Sequence, residues 1–256
     1  MKKLLMIPRI NELEENLKLR DKLNIGFEYN DFFIPDLLDD EKALKERVNA
    51  YKKVGGFNTI HGVFFDICFN SSDKLIKDAS YKRARQTLDI AKELGCKKIV
   101  FHTNYIIGFN SNDYKKMWVE RNALAYKEFL KEYQDIEILI ENMFDNNDIL
   151  IRELLDMVND KRFRMCLDIA HANLSDESIS EWIKNCKKYV SHIHINDNFK
   201  DVDSHLAIGD GNMDYDYIIS ELNKMDDISI LIEVKNTPDF IKSYDYLISR
   251  GLKLWC

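Results

Sequence analysis

Eight short apolar runs, each separated from the next by a stretch of helical spacing, constrain this chain more than any other feature of its sequence. The runs are Leu4–Ile7, Ile25–Tyr29, Phe57–His61, Lys98–His102, Ile136–Glu141, Arg164–Asp168, His192–Asn196 and Ser229–Glu233. Apolar residues recur at helical intervals in Glu12–Leu23, Asp39–Val54, Lys77–Leu94, Tyr114–Tyr133, Asp148–Val158, Glu177–Lys188, Asp216–Met225 and Asp239–Ile248. Gly95 is a natural stop for the third of these. Strand–helix alternation of this kind predicts a parallel sheet with right-handed crossovers. Eight units close most naturally as a (β/α)8 barrel, which takes about 250 residues, and the chain has 256. The expectation is one α/β domain, a TIM barrel over residues 1–256. The competing open doubly wound sheet lacks its GxGxxG turn after the first strand.

The chemistry-bearing residues fall where such a barrel puts its active site. His61, His102, Glu141, Asp168, His194 and Glu233 each stand at or near the C-terminal end of a run, and βα loops converge at that rim. Imidazole nitrogens and carboxylate oxygens gathered there make a donor set for a divalent metal. Glu141 and Glu233 end strongly apolar runs, and an unpaired buried carboxylate would cost several kcal/mol. They need a metal or a side-chain cation, for which Arg152 and Lys235 are candidates. His171 follows Asp168 by three residues, although an Asp at a strand end also serves as a helix cap. The polar loop after His194 carries Asp203, His205 and the pair Gly209 and Gly211. The glycines suit a simple turn at least as well as a phosphate cradle. His192 shares a strand face with His194, which suits a residue that orients a ligand imidazole. Glu28 points at the same rim, where a lysine partner would serve it equally well. Asp66 and Asn142 are further polar candidates.

Charge and cysteine content narrow the function. The net charge of −7 argues against a broad nucleic-acid surface, because phosphate neutralisation takes clustered Lys and Arg. The five cysteines form no CxxC pair, which suits a reducing compartment. The opening MKKLLMIPR ends its apolar run at Pro8 and Arg9, short of the roughly 7–15 residues of an export signal. No run is long enough to span a membrane. A cytoplasmic protein without membrane or nucleic-acid partners is expected, as a monomer or a homo-oligomer.

Seven segments carry a resemblance. HGVFFD at His61, VFHT at His102, LIEN at Glu141, CLDIAH from Cys166 to His171 and HINDN at His194 are joined by VDSHLAIGDGNMD from Val202 to Asp214 and LIEV at Glu233. Together they resemble the xylose-isomerase-like TIM barrel superfamily, which holds sugar phosphate isomerases and epimerases as well as endonuclease IV. The resemblance implies one to three divalent ions, of Mn2+, Zn2+, Co2+ or Mg2+ type. In the epimerases the matching residues Glu141, Asp168, His194 and Glu233 hold one ion, and the two glutamates act as acid and base. A small sugar or sugar phosphate would then be isomerised through a metal-stabilised enediolate, and this is the leading expectation. In endonuclease IV the matching set is His61, His102, Glu141, Asp168, His171, His194, Asp203, His205 and Glu233 with three zinc ions, which makes a zinc phosphodiesterase the alternative. Ser204 stands where endonuclease IV has an Arg, and the glycine-rich opening after the first strand is absent.

Overall fold

The computed structural model describes residues 2–109 and 111–254, so Cys256 lies outside the described residues. Its strands are β1 (Lys3–Met6), β2 (Gly26–Tyr29), β3 (Asn58–His61), β4 (Lys98–His102), β5 (Glu137–Glu141), β6 (Phe163–Asp168), β7 (Val190–Ile195) and β8 (Ser229–Ile232). They follow sequence order around a closed barrel. β1 pairs in parallel with β2 and β8, β3 with β4, β4 with β5, and β7 with β8. The chain is therefore a (β/α)8 TIM barrel.

The helices are α1 (Leu13–Leu23), α2 (Pro35–Asp39), α3 (Glu41–Lys52), α4 (Lys74–Leu94), α5 (Asn112–Glu132), α6 (Ile149–Val158), α7 (Ile169–Leu174), α8 (Ile179–Cys186), α9 (Tyr215–Asn223) and α10 (Thr237–Ser249). Eight of them are the helices that the alternation predicts. α2 and α7 are additional, and each is too short to display a two-turn apolar period. α2 opens on a proline in its first turn, and α7 is started by the Asp168 cap. α4 begins three residues before the predicted Lys77, because Asp73 caps the Leu75 N–H at 2.8 Å. α8 carries a capping box in which Ser178 and Glu181 bond reciprocally. No helix among the described residues is long and apolar enough to cross a membrane.

The chain divides into two compact units. The first comprises Met1–Glu28, Phe144–Asn147 and Cys166–Cys256, and the second Tyr29–Met143 and Asp148–Met165. In the second, α6 buries Ile151, Leu154, Leu155 and Val158, spaced as one helical stripe. Trp118, Tyr126 and Phe129 are buried in the same unit. In the first, Phe27, Trp182, Phe240 and Leu247 are fully or almost fully buried. β7 and β8 are buried along their whole length, as expected of parallel strands covered on both faces.

One loop of the first unit is held from within. The Asp197 carboxylate accepts from the N–H groups of Asn198 (3.0 Å), Gly209 (2.9 Å) and Met213 (3.3 Å). Its backbone pairs with Leu206 through two hydrogen bonds of 3.0 Å. Gly211 passes so close that a Cβ there would collide with the Asp197 carboxylate and the Asn198 carbonyl. The Gly209–Gly211 pair is thus a close backbone approach to Asp197. Gly211→Ala should cost roughly 1–3 kcal/mol of stability, the usual range for forced overpacking. An unchanged urea midpoint and slope would refute this account of the loop.

Candidate metal centre

In the second unit, strand register assembles the first donor group. His102 lies directly opposite Glu141 in the β4–β5 pairing, and His61 opposite Val100 in the β3–β4 pairing. Side chains two apart on a strand share a face, so His61 and His102 meet. Their Nε2 atoms are 3.0 Å apart. Glu141 Oε2 lies 3.6 Å from the first and 3.4 Å from the second. The three donor atoms fall within 4.8 Å of one another, and all three side chains are buried. His61 Nδ1 donates to the Gly62 carbonyl at 2.9 Å, which leaves the Nε2 lone pair of the neutral ring turned inward. Phe64 stacks against the His102 ring with centroids 4.4 Å apart. Arg152, the cation that sequence offers to Glu141, pairs with Asp148 at 2.9 Å.

The first unit holds the other six candidates. Asp168 caps α7 by accepting from the His171 N–H at 2.7 Å, and its Oδ2 lies 3.7 Å from His171 Nδ1. Asp203 Oδ2 then stands between two rings, 3.4 Å from His171 Nε2 and 3.0 Å from His205 Nε2. The other carboxylate oxygen of Asp203 is buried with no hydrogen bond. His205 adopts a left-handed backbone, φ 48°, uncommon for a residue with a Cβ. In that conformation its Nδ1 donates to the Glu233 carbonyl at 3.1 Å. The Glu233 side chain meets His194, whose Nδ1 is 3.2 Å from Oε2. Lys235, the dull partner for Glu233, is exposed.

These contacts determine the electrostatics. With Nδ1 of His205 committed to a carbonyl, its neutral ring would aim a lone pair at a carboxylate oxygen. That is repulsive, so the nitrogen takes a proton or a cation. Burial opposes the imidazolium, yet the Asp203 hydrogen bond and the charges of Glu233, Asp203 and Asp168 push the pKa up to about 9. Burial likewise opposes ionisation of Asp203, but the two imidazoles outweigh it and hold the carboxyl well below its usual range. A proton and a metal compete for the same nitrogen in such a set.

Glu28 is the site residue that sequence reasoning undervalued. It is fully buried and pairs with His192 and His194 at 3.0 Å each, where a lysine was an equal expectation. The signal was present, since a carboxylate stands next to last in the second run, near the rim that carries the HIH triplet. Asp197 was missed as the anchor of its loop because nothing local marks it. Asp66 is exposed and Asn142 is buried. All six histidines of the chain are in these clusters.

The donors fit a divalent metal in kind: neutral imidazole nitrogens and carboxylate oxygens, two of the imidazoles oriented through their other nitrogen by a carbonyl. Residues 22–250 match the family described as xylose isomerase-like TIM barrel. The chain belongs to that family. It is 28% identical over 199 residues to the uncharacterized protein MJ1311 of Methanocaldococcus jannaschii, covering 73% of this chain and 68% of that one. It is 28% identical over 172 residues to a probable endonuclease 4 of Metamycoplasma arthritidis, covering 59% and 60%. A solved structure described as a D-tagatose 3-epimerase-like protein superposes with TM-score 0.79 at 22% identity, over 97% of this chain and 96% of that one. The curated relatives thus include a probable endonuclease, and the solved structure has the same fold.

In metal-free protein the His205 ring should titrate near the raised value of about 9. Asp203→Asn should return it toward the ordinary histidine value of about 6.5, as read from its NMR ring resonances. A His205 that titrates alike in both proteins would contradict the pairing.

Proposed function

We propose that this chain is a phosphoester hydrolase that uses more than one divalent ion, working as one catalytic domain in the cytoplasm on a substrate smaller than duplex DNA. One observation carries the reading. Two separate groups, His61–His102–Glu141 and His171–Asp203–His205, each point two imidazoles at a single carboxylate oxygen. A one-ion isomerase needs only Glu141, Asp168, His194 and Glu233, and it leaves the five other donors without a metal to hold. Imidazole-rich groups suit zinc better than magnesium. The names of the endonuclease relatives support the same chemistry.

The residues divide the work. His61, His102 and Glu141 are assigned to one ion, and His171, Asp203 and His205 to another. Asp168, His194 and Glu233 are assigned to a third. Ions held there would acidify a water and offset the charge that develops on a phosphoryl group. The carbonyls of Gly62 and Glu233 hold the His61 and His205 rings, so those donors stay oriented without a ligand. The acidic balance, 44 Asp and Glu against 37 Lys and Arg, disfavours a long polyanion, because duplex affinity comes from counterion release by clustered cations.

Metal analysis after purification without added metal should find two or three zinc ions per chain. His205→Ala should lose one of them together with most turnover of a model phosphodiester such as bis-p-nitrophenyl phosphate. Glu141→Gln and Glu233→Gln should each abolish turnover and lower metal content. One Mn2+-type ion per chain, with turnover of a ketose or ketose phosphate, would place the sugar isomerase first instead. For the substrate, fluorescence anisotropy with a duplex carrying an abasic-site analogue should show no binding at micromolar protein. Micromolar affinity with a steep salt slope would move the assignment to DNA.

A further inference from the structure

The metal-type donors His194 and Glu233 of the first unit continue into a buried chain of polar contacts, with hydrogen bonds at His192 and close N···O pairs at His194. It starts at Ser229, whose hydroxyl lies 2.7 Å from His192 Nδ1. His192 Nε2 is 3.0 Å from Glu28 Oε2, and Glu28 Oε1 is 3.0 Å from His194 Nε2. His194 Nδ1 faces Glu233 Oε2 at 3.2 Å. Glu28, His192 and His194 are fully buried. Register builds the lower half, because His192 stands opposite Ser229 in the β7–β8 pairing.

A carboxylate has only acceptors to offer. Glu28 Oε2 is hydrogen-bonded to His192 Nε2, which must therefore carry that ring's proton, and Glu28 Oε1 beside His194 Nε2 at 3.0 Å favours the same tautomer there. For His194 this has a consequence at the metal-type donors, since protonation on Nε2 leaves Nδ1 for Glu233 and the ion. We propose that Glu28 is a positioning residue that accepts from Nε2 of both His192 and His194 and so presents Nδ1 of His194 as the metal-binding nitrogen. This rests on the metal-dependent reading above. Partners of this kind fix the orientation and raise the basicity of a ligand imidazole, and losing one typically costs about 10–100-fold in metal affinity.

His192 has a distinct part. It occupies the second oxygen of Glu28 and is held by Ser229 behind it, so the carboxylate cannot swing away from His194. Glutamine at position 28 therefore separates acceptance from charge. Its amide oxygen can still accept from His194, while its amide N–H would face His192 Nε2. The His192 proton must then move to Nδ1, where the Ser229 hydroxyl can accept it.

The test uses the whole protein. In metal-free wild type, long-range 15N–1H spectra should find protons on Nε2 of both His192 and His194. Glu28→Gln should shift the His192 proton to Nδ1 and keep that of His194 on Nε2. Zinc affinity by competition with a chromophoric chelator should fall 10–100-fold in Glu28→Met and less in Glu28→Gln. A bare Nε2 on His194 in the wild type overturns the proposal even if no variant folds. Equal zinc affinity in wild type and Glu28→Met overturns it as well. So does an ion bound by His192 and the neighbouring Cys166, whose donor atoms lie with His194 within 4.8 Å. Failure of phosphodiester turnover with zinc binding and proton positions intact would sink only the hydrolase reading.

Discussion

A carboxylate at the end of a buried strand has to be met by hydrogen-bond donors or cations, and much of this chain's architecture follows from meeting four of them. Glu28, Glu141 and Asp168 are 0–1% exposed, and the Glu233 side chain is 13% exposed. Left unpaired, each would cost several kcal/mol. The chain answers with histidine instead of lysine or arginine. An imidazole is short enough to stay inside a strand layer, and its second nitrogen remains available to a carbonyl, a hydroxyl or another carboxylate. Several of these pairings therefore extend into a further contact, as at His61, His171 and His192.

Parallel register is what makes those pairings possible. His102 meets Glu141 because the two are opposite in β4 and β5, and His192 meets Ser229 for the same reason in β7 and β8. A slip of one residue would turn each of these side chains to the other face. The donor geometry is thus fixed by backbone hydrogen bonds between neighbouring strands, such as Thr103 N–H to the Glu141 carbonyl at 3.1 Å. A rim built on strands keeps its donors in place more firmly than one built on loops alone.

The loop that follows β7 is the exception and is stabilised differently. Asp203 and His205 lie outside regular structure, yet both come to rest against His171 and Glu233. Asp197 gathers the loop from inside, and Gly211 gives up its side chain so that the backbone can approach. His205 takes a left-handed φ that puts its ring against the Glu233 carbonyl. Strain of that sort persists where surrounding contacts over-determine the conformation.

The sequence by itself determined the barrel and the rim. Eight alternating units are legible because period 2 and period 3.6 differ locally, and eight of the nine metal-type residues could be named because each stands at a strand end or in one polar loop, His171 being marked by its spacing of three from Asp168. It left α2 and α7 unmarked, since five or six residues display no full period. It could not show that Glu28 serves two histidines, because the bonded atoms belong to β2 and β7, 164 positions apart. Nor could it show that Asp197 holds the Gly209–Gly211 turn, which depends on backbone atoms brought close only by the folded loop. Which nitrogen of each imidazole faces inward was decided by tertiary structure alone. That choice is made by the carbonyl, hydroxyl or carboxylate on the far side of the ring, and the order of residues along the chain carries no trace of it.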